Sequence, residues 1–481
     1  MEHDGLLFDV TGGGTAGLDW EWIPNRGETT TEWVGVNGMD PNVFRPRAMR
    51  WVSLVAILLS AVAGCERKDA QQRVEEKLAA HVDLELTDRT HHTPLRDELS
   101  RLRAASQLPA QLQQRQPDEG SEFDLTSISA SLFDSPAQVE RVHKSLDELW
   151  PTDGLEFPPS ALEHALRITE KYEGQRQKLA GSVRQTQSQF RIAFDQGTAA
   201  DVSWLDAVRL VARLEALGVA RFVQAETPDQ ALDPLSDLAR IAGKLEQSPS
   251  LVAHLMAVDI RREWIAGIRL VATHPAATAR THQLLFELVA ADRRKGSHES
   301  LAWIGDRAAG MHAYEMVRAG EYLSLLSEEE YQALEERNET MDQALVVRRN
   351  VDEDETYYLE TMRLLISKSE QPFHARRQWL NDWFTELDAR SNQPKFPAVA
   401  ADLLLVGITT AQQRLARGQA RGDAWYLALA AINGHDLPED PVLNAETGEP
   451  FAVAREDQRV EVWGLIDDDA DLFPSLTRRP E

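Results

Sequence analysis

The chain has 481 residues, with 78 Asp and Glu against 51 Lys and Arg, a formal net charge of −27. At roughly 100–200 residues per domain this length holds two or three domains, and a 42 % hydrophobic content suffices for a real core. The acidity argues against a nucleic-acid binder, because neutralising phosphates requires clustered Lys and Arg in excess. A single cysteine excludes an intramolecular disulfide framework and Cys-based zinc motifs.

Near the N-terminus, residues 12–17 (Gly-Gly-Gly-Thr-Ala-Gly) match GxGxxG after the strand-like Leu6–Val10. A dinucleotide site needs a helix N-terminus directly behind those glycines, and Leu18-Asp-Trp-Glu-Trp-Ile-Pro24 does not continue as one, so no nucleotide cofactor is expected. The next distinctive feature is the apolar run Trp51–Ala63. It is shorter than the ~20 residues a transmembrane helix needs. Arg45, Arg47 and Arg50 precede it, Ala63 and Gly64 follow it, and the chain turns strongly polar from Glu66, which are the flanks of a secretory signal peptide. The lone cysteine, Cys65, sits at that junction.

Val62-Ala63-Gly64-Cys65 resembles the lipobox of bacterial lipoproteins. The resemblance implies that the Cys65 thiol takes a diacylglyceryl group before cleavage and becomes the acylated first residue of the mature protein. The implied partner is a membrane, held through acyl chains worth ~0.8 kcal/mol per buried methylene, without a spanning segment. Glu66 rather than Asp after the cysteine implies, for a double-membraned bacterium, the outer membrane facing the periplasm. The competing reading of Cys65 is a chance small residue in a buried helix. If 49–64 is the signal peptide, residues 1–48 read as an upstream extension outside the translated protein, starting at Met49 or alternatively at Met39.

After residue 64 the net charge is still −23, so the acidity belongs to the mature chain. Residues 65–134 are charged, Gln-rich and poor in aromatics, which reads as a tether or stalk with short helices near 68–82 and 93–105. From 135 to 432 the pattern predicts an all-α body, a multi-helix array. Ser135-Pro136 opens one helix and Pro159-Ser160 another, with Leu162, Ala165, Leu166, Thr169 and Tyr172 on one face. Asp201 caps a helix with Gly218 as its stop. Further helices are expected over 234–246, 249–273, 278–294, 299–318, 328–348, 354–369, 374–389 and 398–432. Tryptophans at 204, 264 and 303 show no fixed spacing, so no tandem repeat is supported. Most tryptophans of the body are expected in the core rather than stacking on a ligand. Residues 433–481 read as a small C-terminal β-hairpin at 451–465 followed by an acidic tail.

Leu235–Leu255, Gly305-Asp-Arg307 and the tail Asp440-Pro441 with Thr447-Gly-Glu-Pro-Phe451 resemble uncharacterised helical bacterial envelope proteins, over about residues 160–465. The tail is also similar to the C-terminal hairpin of type II secretion pseudopilins, although their N-terminal helix is absent. Neither resemblance supplies a catalytic residue.

HExxH, GxSxG and Walker motifs are missing. The best polar cluster is Arg307, His312, Glu315 and Glu321, on and just after one helix, where His312 and Glu315 at i, i+3 suit a metal or acid/base pair. The alternative is an ordinary polar helix face. His91-His92 and Asp467-Asp-Asp469 with Asp471 read as solvated, and no metal site or cofactor is expected from them. Two functional classes follow: a lipid-anchored envelope protein that binds another protein as a scaffold or adaptor, and an envelope hydrolase using paired carboxylates about 5–9.5 Å apart.

Overall fold

A computed structural model describes residues 6–7, 21–22, 93–107 and 116–477, apart from 153, 194–195, 198–199, 294–297, 338, 391–398, 457 and 467–471. The chain divides into two units, Met1–Arg47 and Ala48–Glu481. In the first, β1 (Leu6–Leu7) and β2 (Glu21–Trp22) pair antiparallel. Residues 12–17, the signal segment 49–64, Cys65, the 68–82 helix, His91, His92 and Asp467 to Asp471 lie outside the described residues.

Among its described residues the second unit is helical apart from one small sheet. Its helices are α1 (Thr93–Ser106), α2 (Leu125–Ala130), α3 (Pro136–Asp147), α4 (Pro159–Lys171), α5 (Glu173–Val183), α6 (Trp204–Gln224), α7 (Leu232–Glu246) and α8 (Leu251–Thr273). They continue with α9 (Ala279–Arg293), α10 (Glu299–Ala319), α11 (Glu328–Glu336), α12 (Thr340–Arg349), α13 (Val351–Lys368), α14 (Phe373–Arg390) and α15 (Ile408–Ile432). The all-α expectation therefore holds.

Helix α6 is the axis of the first core. Of its 21 residues, 15 are buried, Arg213 and Glu215 among them, so it needs neighbours on nearly every side. Those neighbours are α2 to α5, α7 and α8. Each leucine moved fully out of water there, such as Leu210, Leu214 and Leu217, stabilises the fold by ~1.5–3 kcal/mol. This burial overrides the expected stop at Gly218, and the helix runs six residues further to Gln224. Interior glycine costs a helix about 1 kcal/mol, less than the packing that follows it.

The second core gathers Trp303 and Tyr314 of α10, Tyr358 and Met362 of α13, and Leu99 and Leu102 of α1. Helix α15 bridges the two, with Ile408, Ala411 and Ala416 in the second core and Ala420 to Ile432 in the first. Helix α10 meets the α7–α8 connection so closely that a Cβ on Gly305 would stand 1.7 Å from the Pro249 carbonyl oxygen.

Several expected boundaries shift. The 328–348 helix is two, α11 and α12, closed off where Glu339 N donates to Leu334 O at 2.9 Å. The 398–432 helix is a π-helical turn, Ala400–Leu404, then α15, separated at Gly407, whose φ of 78° is a left-handed conformation suited to glycine. The helix opened by Pro159 ends at Lys171, with Tyr172 turning the chain into α5.

The tether expected at 65–134 gives way to packed structure before residue 134. Leu99 and Leu102 of α1 enter the second core, and Leu125 of α2 is completely buried in the first. Two or three leucines on short helices are enough to anchor a segment whose composition is otherwise that of a solvated linker. At the other end, the hairpin is β3 (Ala452–Glu456) with β4 (Arg459–Trp463), and the expected tail adds a third strand, β5 (Ser475–Thr477), with Leu476 opposite Val460. Trp425 of α15 holds this sheet down by donating its indole N–H to Leu472 O at 2.9 Å. Trp204, Trp264, Trp303 and Trp425 are core residues, whereas Trp463 is 54 % exposed.

Candidate functional site

Arg307, His312 and Glu315 all lie on α10, and Glu321 opens the 3₁₀ turn Tyr322–Leu325 just after it. Their side chains serve different neighbours. Arg307 is buried on the face that carries Trp303, Gly310 and Tyr314, and burial lowers its guanidinium from the ordinary value, partly offset by Tyr358. The Tyr358 hydroxyl crosses onto this helix and donates to Asp306 O at 3.1 Å. Asp306, desolvated beside them, has its carboxyl pushed up to about 7.

His312 is half-buried with its Nδ1 enclosed and unbonded, pressed against the loop at Gly197. Glu315 is exposed, and it pairs with Arg103 of α1 rather than with His312. Glu321 is exposed too, and its main-chain N–H closes α10 by donating to Met316 O at 2.8 Å. Arg307, His312, Glu315 and Glu321 are thus neighbours in sequence that do not converge on one point. Among the described residues no three His, Cys, Asp or Glu gather where a metal could be held.

The geometry instead assembles a charge network that spacing alone does not reveal. Arg103 Nε donates to Glu355 Oε1 at 2.6 Å, and Arg318 Nη1 stands 2.7 Å from Glu355 Oε2. Arg318 Nη2 also donates to Asp352 Oδ1 at 2.7 Å. Glu355 has no exposed side-chain surface, so its charge is tolerated only because two guanidinium groups face it. Although burial pulls the Arg103 guanidinium down, Glu355 and then Glu315 hold it above its ordinary value. The adjacent Asp354 accepts from the Tyr314 hydroxyl at 2.6 Å, Val399 N at 2.9 Å and Ala400 N at 2.8 Å, fixing the start of the π-helical turn.

A second group of buried acids lies in the first core. Glu215 accepts from Arg176 Nη1 at 2.6 Å, while Asp237 takes Arg184 Nε at 2.9 Å and Arg240 Nη1 at 2.8 Å. Burial pushes the Glu215 carboxyl up to about 7, with Arg176 opposing the shift and the Asp237 charge adding to it. The available sequence signal was an acid inside the largely apolar stretch Leu210–Val219, whose only other charge is Arg213. Both carboxylates are almost without exposed surface, so in this conformation they cannot flank a glycosidic bond.

Between α9 and α15 an open groove of about 370 Å³ is lined by Phe286, Glu287, Ala290, Arg293 and Tyr426. Arg293 lies 4.6 Å from the Tyr426 ring centroid and donates to Asp423 at 2.6 Å, so its charge is already engaged. Among the described residues no helix is long and apolar enough to cross a membrane. No family model, curated protein or solved structure matches the chain.

Proposed function

We propose that this chain is a lipid-anchored protein of the cell envelope whose helical body acts through contacts with another protein, as a scaffold or adaptor. The observation that carries the proposal is Cys65, directly behind Val62-Ala63-Gly64 and the apolar run from Trp51, with arginines ahead of the run and a polar chain behind it. The body supports the reading in a second way. Its buried acids Glu215, Asp237 and Glu355 are engaged by arginines that tie helices together, an arrangement suited to a rigid platform rather than to proton transfer on a substrate. A net charge of −23 after residue 64 argues against nucleic acid as the natural partner. The hydrolase reading needs two accessible carboxyls across a cleft, and nothing in the buried pair Glu215 and Asp237 favours it.

Metabolic labelling with a clickable fatty acid tests the anchor. The wild-type chain takes up label and fractionates with membranes, while Cys65→Ser keeps side-chain size without the thiol, takes up none and accumulates as precursor. Equal labelling of both, or of neither, sinks the proposal. Cross-linking in intact cells followed by mass spectrometry tests the second half: one partner protein should be recovered in a fixed ratio.

A further inference from the structure

Helix α10 carries a buried guanidinium that the rest of the fold leaves unpaired. Trp303, Arg307, Gly310 and Tyr314 share one buried face at helical spacing, and this face meets Tyr358 of α13. The indole and the two hydroxyls at this seam are satisfied: Trp303 Nε1 donates to Glu299 at 2.9 Å, the Tyr314 hydroxyl to Asp354 at 2.6 Å and the Tyr358 hydroxyl to Asp306 O at 3.1 Å. Arg307 is only 8 % exposed, and it has neither a hydrogen bond nor an ion pair among the described residues.

The other arginines buried to the same degree are engaged. Arg213 pairs with Asp147 at 2.7 Å, Arg376 pairs with Glu299, Arg348 donates to Arg318 O at 3.3 Å, and Arg421 is partnered as well. Asp306, next in sequence, does not neutralise Arg307. Burial pushes the Asp306 carboxyl up to about 7 with no cation opposing the shift, whereas a guanidinium in contact would draw it down. Burial lowers the Arg307 guanidinium in turn, opposed only by Tyr358. A charge out of water without a counter-charge is costly, which marks Arg307 as a group that lacks its partner. Its Nε is enclosed and unbonded, but its two terminal nitrogens are neither enclosed nor bonded, so they are the part that solvent reaches.

We infer that Arg307 is the anchor of a binding site for a small oxyanion, a carboxylate or phosphate group that reaches the α10–α13 seam from solvent. The planar fork of terminal N–H groups matches two oxygens of such a group, a fit that a spherical halide does not offer. The floor of the site is preorganised. The Tyr358 hydroxyl ties α13 to α10, and Gly310 leaves it room, since a Cβ there would stand 2.1 Å from that hydroxyl. In a chain whose net charge after residue 64 is −23, long-range attraction does not favour an anion, so binding rests on the contact with Arg307. The site is independent of the anchor at Cys65 and gives the helical body a ligand of its own.

Equilibrium dialysis of the full chain against radiolabelled inorganic phosphate, and in a second arm against radiolabelled acetate, tests the site at an ionic strength fixed with chloride. One oxyanion should bind saturably per chain, and the tighter of the two identifies the group as phosphate or carboxylate. Arg307→Lys keeps the charge without the fork and should weaken binding at least about tenfold. Arg307→Met keeps the apolar stem without the charge and should abolish it. Saturable binding of neither anion, or equal binding to the wild type and Arg307→Met, overturns the proposal. Urea unfolding supplies a second readout. Without oxyanion, Arg307→Met should unfold at the same midpoint as the wild type or a higher one, because it removes a buried charge that the fold does not pair. The preferred oxyanion should then raise the midpoint of the wild type more than that of the variant, whose response measures general salt effects alone. A lower midpoint for Arg307→Met without oxyanion, or its failure to fold, would show that the fold already satisfies Arg307, and the proposal would be wrong.

Discussion

Arg103 and Glu355 stand 2.6 Å apart across 252 positions of sequence, and Arg318 closes on the opposite carboxylate oxygen at 2.7 Å. The two arginines are not equivalent. Arg103 is 28 % exposed at the end of the network, whereas Glu355 is the fully buried centre on which both depend. Glu355→Ala leaves two guanidinium groups facing each other over an unfilled space and should cost roughly 3–5 kcal/mol. Arg103→Ala removes the hydrogen bond to Glu355 but leaves the Arg318 guanidinium 2.7 Å from it, and should cost less, about 1–3 kcal/mol. Urea unfolding of the two variants measures both, and equal losses would mean that Arg318 does not share the carboxylate.

Asp354, one residue earlier, predicts a different kind of loss. Its carboxylate satisfies the Tyr314 hydroxyl and two buried backbone N–H groups, at Val399 and Ala400. Asp354→Ala orphans all three, at about 1–3 kcal/mol for each buried donor without a partner. A total loss of less than about 2 kcal/mol in urea unfolding would show that water replaces the carboxylate.

Helix glycines give a sign test. At Gly305 an added Cβ would stand 1.7 Å from a backbone oxygen, so Gly305→Ala must separate α10 from the Pro249 turn, at a cost of about 3 kcal/mol or more. At Gly422 on α15 nothing lies within 4 Å, so Gly422→Ala should stabilise by about 0.5–1 kcal/mol through helix propensity. Thermal melts of the pair should shift in opposite directions. A shift of both to lower temperature would show that the Gly422 surface is not open.

The same residues show what was readable from sequence. Helix starts were legible where chemistry is local: Ser135 accepts from Gln138 N at 3.3 Å and Pro136 occupies the first turn of α3, as their order predicts. The third strand was not legible, because β5 has only three residues and one buried side chain, too few to show an alternation. The constraint at Gly305 is tertiary and exists only because Pro249 is placed against it. The polar cluster is a similar case. Helical spacing puts His312 and Glu315 on neighbouring positions, but Glu315 is claimed by Arg103, an acquaintance that only the tertiary fold makes.

Glu215 gives the clearest dependence on pH. Burial raises its carboxyl from an ordinary 4.5 to about 7, so between those values the folded chain holds a proton that the unfolded chain releases. Its contribution to stability is complete below pH 4.5 and is lost as the pH rises through 7. Glu215→Gln removes this titration and keeps a neutral group of similar shape, while Arg176 retains Glu173 through a 2.7 Å bond. His254, with burial holding it at about 4 instead of 6.5, titrates in the opposite sense, its contribution present above 6.5 and lost as the pH falls through 4. That effect is common to both chains and cancels when they are compared at each pH. The variant should therefore gain on the wild type by roughly 2–3 kcal/mol between pH 5 and pH 8. Urea unfolding at half-unit intervals would reveal this, and a difference that stays constant across the range would mean that Arg176 keeps Glu215 ionised throughout.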